Sequence, residues 1–219
     1  MSVSIGIFDL YSFMIPGLLY LFVFNEAARV IKISYFDLSL LKDNVWLGVG
    51  ILVLAYITGH ILTSLSFRIW FRLFYRHERS ERAYNKFKLR MSDVDFEPKK
   101  WSILLAVIRR DNSDIAQVIE KNIVDAIMFR NVSFGLALFA MVQIVSGVAT
   151  GFTPINITTA ILSLSASGLA LRQSAKYDGW FFNSVFEHAV TFGRTTEEVI
   201  NSLKAEKPAK RSSKRKNKG

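Results

Sequence analysis

Val45-Trp-Leu-Gly-Val-Gly-Ile-Leu-Val-Leu-Ala-Tyr-Ile-Thr-Gly-His-Ile-Leu-Thr-Ser-Leu-Ser-Phe67 is a run of 23 residues without a single Asp, Glu, Lys or Arg. A helix rises ~1.5 Å per residue, so about 20 such residues cross the ~30 Å hydrocarbon layer of a bilayer. Arg68, Trp70, Arg72 and Tyr75 follow at once. Basic and aromatic side chains together form the collar expected where a helix leaves a membrane. The run therefore reads as a transmembrane helix with a well-anchored polar end.

Three further stretches read the same way. One extends from about Phe8 to Ala28, with Asp9 at its rim and Pro16–Gly17 inside. Proline removes a backbone donor, so this pair predicts a helix break. The others extend from about Val132 to Thr150 and from about Ile155 to Leu171, separated by Gly151-Phe-Thr-Pro154. That spacing predicts a tight antiparallel hairpin. Gly147 and Gly151 in one arm, and Ser163, Ser167 and Gly168 in the other, supply the small residues that let helix backbones approach closely in lipid.

The expected fold is an all-α membrane protein of four transmembrane helices, with a helical cytoplasmic segment between spans 2 and 3. Its parts are spans 1 and 2 (1–67), a basic helical segment (68–130), the hairpin (131–172), amphiphilic cytoplasmic helices (173–203) and a basic tail (204–219). Within 68–130, Arg68 to Met91 reads as a continuing helix and Pro98 as a break. Trp101 to Arg110 reads as a short amphipathic helix. Ser113 or Asp114 is placed to cap the next helix, in which Ile115, Val118, Ile119, Ile123 and Ile127 recur at three- and four-residue steps. Thr195-Thr-Glu-Glu198 resembles a capping box, and the tail from Lys204 has the composition of a disordered segment.

Charge sets the orientation. Net charge is +10, and of 28 Lys and Arg only three precede Arg68, whereas 14 lie in 68–130 and 11 from Arg172 onward. An even number of spans precedes each basic region. The positive-inside rule then puts both, and the N-terminus, in the cytoplasm. The opening residues lack the basic n-region of a secretory signal.

Little chemistry is encoded. The chain has no cysteine, and His60, His77 and His188 show no metal-ligand spacing. No phosphate loop or nucleophile elbow occurs, so neither catalytic residues, metal nor cofactor is expected. Arg72-Leu-Phe-Tyr-Arg-His77 matches the R-x4-H spacing of HEPN-type ribonucleases, but it falls inside the collar that membrane exit already explains. The polar positions at membrane depth are Tyr56, His60 and Ser64, with Asp9 at the rim. A polar ring in a span normally faces the bundle interior or water. His60 thus reads either as a hydrogen-bonder to a neighbouring helix or as a pore-lining or proton-sensitive group. Gln143 and Asn156 are expected to bond between helices. Arg68, Arg72 and Arg76, with Lys210, Arg211, Lys214, Arg215 and Lys216 of the tail, are expected to contact anionic lipid or a partner. Nucleic acid is a possible second target of the same tail.

Three stretches together carry a resemblance: Asp9-x6-Pro16-Gly17-Leu-Leu, Ala55-Tyr56-Ile-Thr-Gly59-His60-x3-Ser64-Leu-Ser66, and Phe129-Arg130-Asn131. The set resembles small bacterial four-span inner-membrane proteins, some of them encoded in antiviral defence loci. The resemblance implies an inner-membrane location and a defence role, as an oligomeric pore-forming effector or a sensor with a cytosolic partner. The alternatives are an anchor that recruits a cytosolic enzyme, and a small transporter or channel.

Overall fold

The computed structural model describes residues 7–33, 45–74, 79–91 and 98–191, with residues 7–9 and 71–74 described by backbone alone. The described residues are helical, without a strand: α1 (Ile7–Val30), α2 (Val45–Phe74), α3 (Arg79–Lys88), a 3₁₀ turn (Pro98–Lys100), α4 (Trp101–Asp111), α5 (Ser113–Thr150) and α6 (Pro154–Thr191). Four of them, α1, α2, α5 and α6, are long and apolar enough to cross a membrane. The expected capping box at 195–198 and the basic tail lie outside the described residues, as does the join between α2 and α3 at 75–78.

The ends of these helices follow from local chemistry. Asn112 has extended backbone between α4 and α5, and its N–H donates to the Ile108 carbonyl at 2.7 Å. Its side-chain Oδ1 accepts from the backbone N–H of Asp114 and Ile115, at 3.2 and 3.1 Å. Asn112 is therefore the N-cap of α5, which corrects the expectation of Ser113 or Asp114. Those two residues already lie inside the helix, where their own side chains cannot reach the orphan donors of the first turn. At the other end, Gly151 has φ +94°, the left-handed conformation that closes a helix and that glycine adopts without strain. Thr153 Oγ1 then accepts from Asn156 N–H at 3.2 Å, and Pro154 opens α6 at the position where its missing donor costs nothing.

Both hairpin helices run on past the apolar stretch read from the sequence. α5 and α6 each have 38 residues, about 57 Å at ~1.5 Å per residue, well beyond ~30 Å of hydrocarbon. Hydropathy changes near Arg130 and Arg172, but the backbone has no reason to stop there.

The chain divides into two compact units. The first contains α1, α2 and residues 123–150 and 154–177 of α5 and α6; the second contains α3, the 3₁₀ turn, α4, and residues 113–122 and 178–191 of the same two helices. The second unit has a core of aromatic and aliphatic side chains. Tyr84 and Phe87 of α3 lie against Phe186, with ring centroids 5.9 and 6.0 Å apart, and Trp101 of α4 lies edge-on to Phe181 at 5.3 Å. Leu104 and Ile108 are fully buried, one turn apart on α4. Within this core, Asp178 (2 % exposed) forms an ion pair with Arg79. The first unit buries Ser66, Asn131, Ser133 and Ser167 beside Tyr20 and Phe134, and it exposes Leu54, Ile61, Val148 and Ile161.

Candidate functional site

The first unit is assembled around a close helix crossing. A Cβ placed on Gly17 of α1 would fall on the carbonyl of Ala55, and one placed on Gly59 of α2 would fall on the carbonyl of Phe13. Only hydrogen fits at either point, so Gly17 against the Ala55 carbonyl and Gly59 against the Phe13 carbonyl form a reciprocal contact, its two points four residues apart on each helix. The contact also accounts for Pro16. The expected break does not occur, since α1 is helical from Ile7 through Val30 and Pro16 is fully buried. The turn weakened by proline is the one against which α2 packs most closely, and that neighbour holds it.

One helical turn further along α2 lies a polar cluster centred on Asn131 of α5. Its Nδ2 donates to Thr63 Oγ1 at 2.7 Å, and its Oδ1 lies 2.5 Å from the Ser66 hydroxyl. Tyr20 of α1 donates its phenol to the Asn131 carbonyl at 2.8 Å. Thr63 passes its own proton to the Gly59 carbonyl at 2.7 Å. Tyr20, Ser66 and Asn131 are each fully buried. Beside them the Arg130 guanidinium, 4 % exposed, sits 4.9 Å from the centre of the Phe67 ring, a cation–π arrangement. Three helices are thus tied at one point by groups that satisfy one another.

α5 and α6 are tied in the same manner. The Ser133 hydroxyl lies 2.9 Å from the Ser167 carbonyl, and the Ser167 hydroxyl 2.7 Å from the Ser133 carbonyl. Ser174 donates to the Ala126 carbonyl at 2.8 Å. Thr159 reaches Gln143 at 3.4 Å, the interhelical role expected of Gln143. The predicted packing set divides accordingly. Ser167 bonds across the pair and Ser163 is buried, whereas Gly147 receives the Phe152 ring from the turn, and Gly168 faces open space. Asn156 contributes backbone bonds to its own helix.

No family model, no curated protein and no solved structure matches the chain. The reading of the site therefore rests on its own geometry.

Tyr56 and His60 stand apart from the Asn131 cluster. Their rings stack at 6.4 Å, and both lie edge-on to Phe13, at 6.0 and 4.8 Å. Tyr56 is half-buried, whereas His60 and Ser64 are exposed. The interior is already occupied at that level by Ala55 and Gly59, whose side of α2 faces α1. Among the described residues, neither the His60 ring nitrogens nor the Ser64 hydroxyl has a hydrogen bond. Arg68 is exposed on the same helix. The side chains of Asp9 and Arg72 lie outside the described residues, as do Arg76, His77 and the tail cations Lys210, Arg211, Lys214, Arg215 and Lys216. No group of three or more His, Asp or Glu with metal-binding geometry occurs among the described residues.

Proposed function

We propose that the chain is an oligomeric inner-membrane component of a bacterial antiviral system, without enzymatic chemistry of its own, whose copies meet along α2. Four long apolar helices support membrane insertion. So does the apolar exterior of the first unit, which exposes Leu54, Ile61, Val148 and Ile161 while Ser66, Asn131, Ser133 and Ser167 are buried. The charge distribution supports cytoplasmic termini. The defence context comes from the resemblance of the Pro16–Gly17, Tyr56–Ser66 and Phe129–Asn131 stretches.

The observation that carries the oligomer is the position of His60 and Ser64. Trp46, Gly50, Val53, Ile57, His60, Ser64 and Phe67 follow one another at alternating steps of four and three residues, and all seven are exposed. A 3.5-residue repeat is the signature of a helix seam that packs on another helix. A Cβ built on Gly50 would meet nothing within 4 Å, so a neighbouring backbone has room on that side. An imidazole carries both a donor and an acceptor, and a hydroxyl likewise, so the His60–Ser64 pair is complementary to a second copy of itself. Left facing hydrocarbon, the same pair would be costly.

Such an assembly serves an effector, if the seam opens a polar path, or a sensor, if it transmits a change from the second unit. Expression with neighbouring genes, followed by dye uptake and membrane-potential measurements during phage infection, separates the two. The effector form predicts permeabilisation that His60→Leu/Ser64→Ala abolishes. Protection that fails to depend on this chain overturns the defence reading.

The second unit favours an anchoring role alongside. It has its own core and presents Leu89 at 88 % exposure beside exposed Arg90. An apolar–basic patch of that kind suits a cytosolic protein, and pull-down on intact protein with Leu89→Asp as control tests it.

A further inference from the structure

Between Val132 and Leu171 there is no charged residue, and the first to appear on α6 are Arg172 and Lys176. Four residues apart, they share one face of the helix. Both line the polar end of a groove of about 840 Å³ between α5 and α6 in the first unit, together with Gln173. Its other end is lined by apolar side chains, among them Val132, Leu136 and Leu169. The volume lies within the ~300–1,000 Å³ typical of sites for small molecules.

The groove therefore grades from hydrocarbon to paired cations along its length, and does so at the point where the apolar run of α6 ends. A soluble anion would use only the cationic end. A neutral lipid tail would use only the apolar one. An anionic amphiphile uses both, with its phosphate between the two cations, Gln173 donating to a phosphate or glycerol oxygen, and an acyl chain against Leu136 and Leu169.

We propose that this groove is a binding site for one anionic phospholipid of the cytoplasmic leaflet, with Arg172 and Lys176 as its headgroup ligands. This rests on the membrane reading given above, and it makes the lipid part of the α5–α6 pair rather than bulk solvent. It also places lipid recognition on α6, apart from the basic tail and the α2 collar.

The test uses full-length protein. Alkaline carbonate extraction of native membranes comes first: release of the chain would overturn the membrane reading itself. With an integral protein, native mass spectrometry in detergent measures retention of phosphatidylglycerol against phosphatidylcholine. Wild type should retain one phosphatidylglycerol preferentially. Arg172→Gln/Lys176→Gln should weaken it about thirtyfold, the effect of two interfacial charges at ~1 kcal/mol each. The charge-conserving Arg172→Lys/Lys176→Arg should keep the preference, which separates loss of the site from loss of fold. Lys99→Gln/Lys100→Gln removes equal charge elsewhere and should leave retention unchanged. Equal retention of both lipids, an unaltered preference in the Gln pair, or displacement by glycerol phosphate as effective as by the lipid would each overturn the proposal.

Discussion

Replacing Asn131 with Ala removes the side chain on which α2 and α5 meet, and the structure sets how much that should cost. Two hydrogen bonds go with it, from Nδ2 to Thr63 and from Ser66 to Oδ1, while the bond from Tyr20 is to the backbone carbonyl and stays. Interhelical hydrogen bonds within lipid average ~0.6 kcal/mol and reach ~1.7, so two of them give about 1–3 kcal/mol. The orphaned partners have local alternatives. Ser66 Oγ also lies 3.0 Å from the Thr63 carbonyl, and the Thr63 hydroxyl already donates to Gly59. Relaxation onto those carbonyls brings the expectation to the lower part of the range, about 1–2 kcal/mol. Denaturant titration in mixed micelles, followed by circular dichroism, measures it. A cycle with Ser66→Ala should show coupling of about 0.6–1.7 kcal/mol, whereas Tyr20→Phe combined with Asn131→Ala should be close to additive. A change below about 0.3 kcal/mol for Asn131→Ala, or additivity between Ser66 and Asn131, would refute the cluster as a structural tie.

The remaining expectations concern other parts of the chain. Gly59→Ala should lower stability by about 1–3 kcal/mol, because the new methyl meets the Phe13 backbone and the helices must part, whereas Gly168→Ala, with open space around it, should be neutral or slightly stabilising in the same micelle titration. Asp178→Ala removes a buried carboxylate that Arg79 meets inside the second unit and should lower stability by more than about 1 kcal/mol, visible as faster hydrogen exchange across 79–88. Asn112→Ala should cost about 0.5–2 kcal/mol through loss of the α5 cap, with Ser113→Ala far milder; equal effects of the two would contradict the cap assignment.

The spans were legible because hydropathy over 20 residues is a property of the chain alone. The hairpin turn at 151–154 and the amphipathic helix from Trp101 both appear where the sequence places them. That α5 and α6 run on unbroken past Arg130 and Arg172 was not legible, since a change in hydropathy marks side chains and leaves the backbone bonds intact. Pro16 misled for a related reason. Its effect depends on what packs beside it, and that is settled by Gly59, 43 positions away. The Asn131 cluster was the least legible part. Tyr20, Thr63 and Ser66 are ordinary residues for an interfacial or lipid-facing position, and the crossing at Gly17 and Gly59 brings them to one residue, Asn131. Ala55, Gly59 and Thr63, a small residue every fourth position in α2, were the available signal, and it was overshadowed by the more numerous glycines and serines of α5 and α6. His60 drew notice for its chemistry, but its direction came from the structure: the face that carries Ala55 and Gly59 is taken by α1.

Disulfide cross-linking in native membranes tests the α2 seam most directly, and the absence of native cysteine makes each substitution the only thiol present. Oxidation joins two chains only where the Cα atoms come within about 7 Å. The seam predicts that Val53→Cys and Ile57→Cys give covalent dimers under mild oxidation, while Leu65→Cys and Val148→Cys, exposed but off the seam, stay monomeric. Monomers throughout, or dimers formed as readily through Val148 as through Ile57, would contradict it.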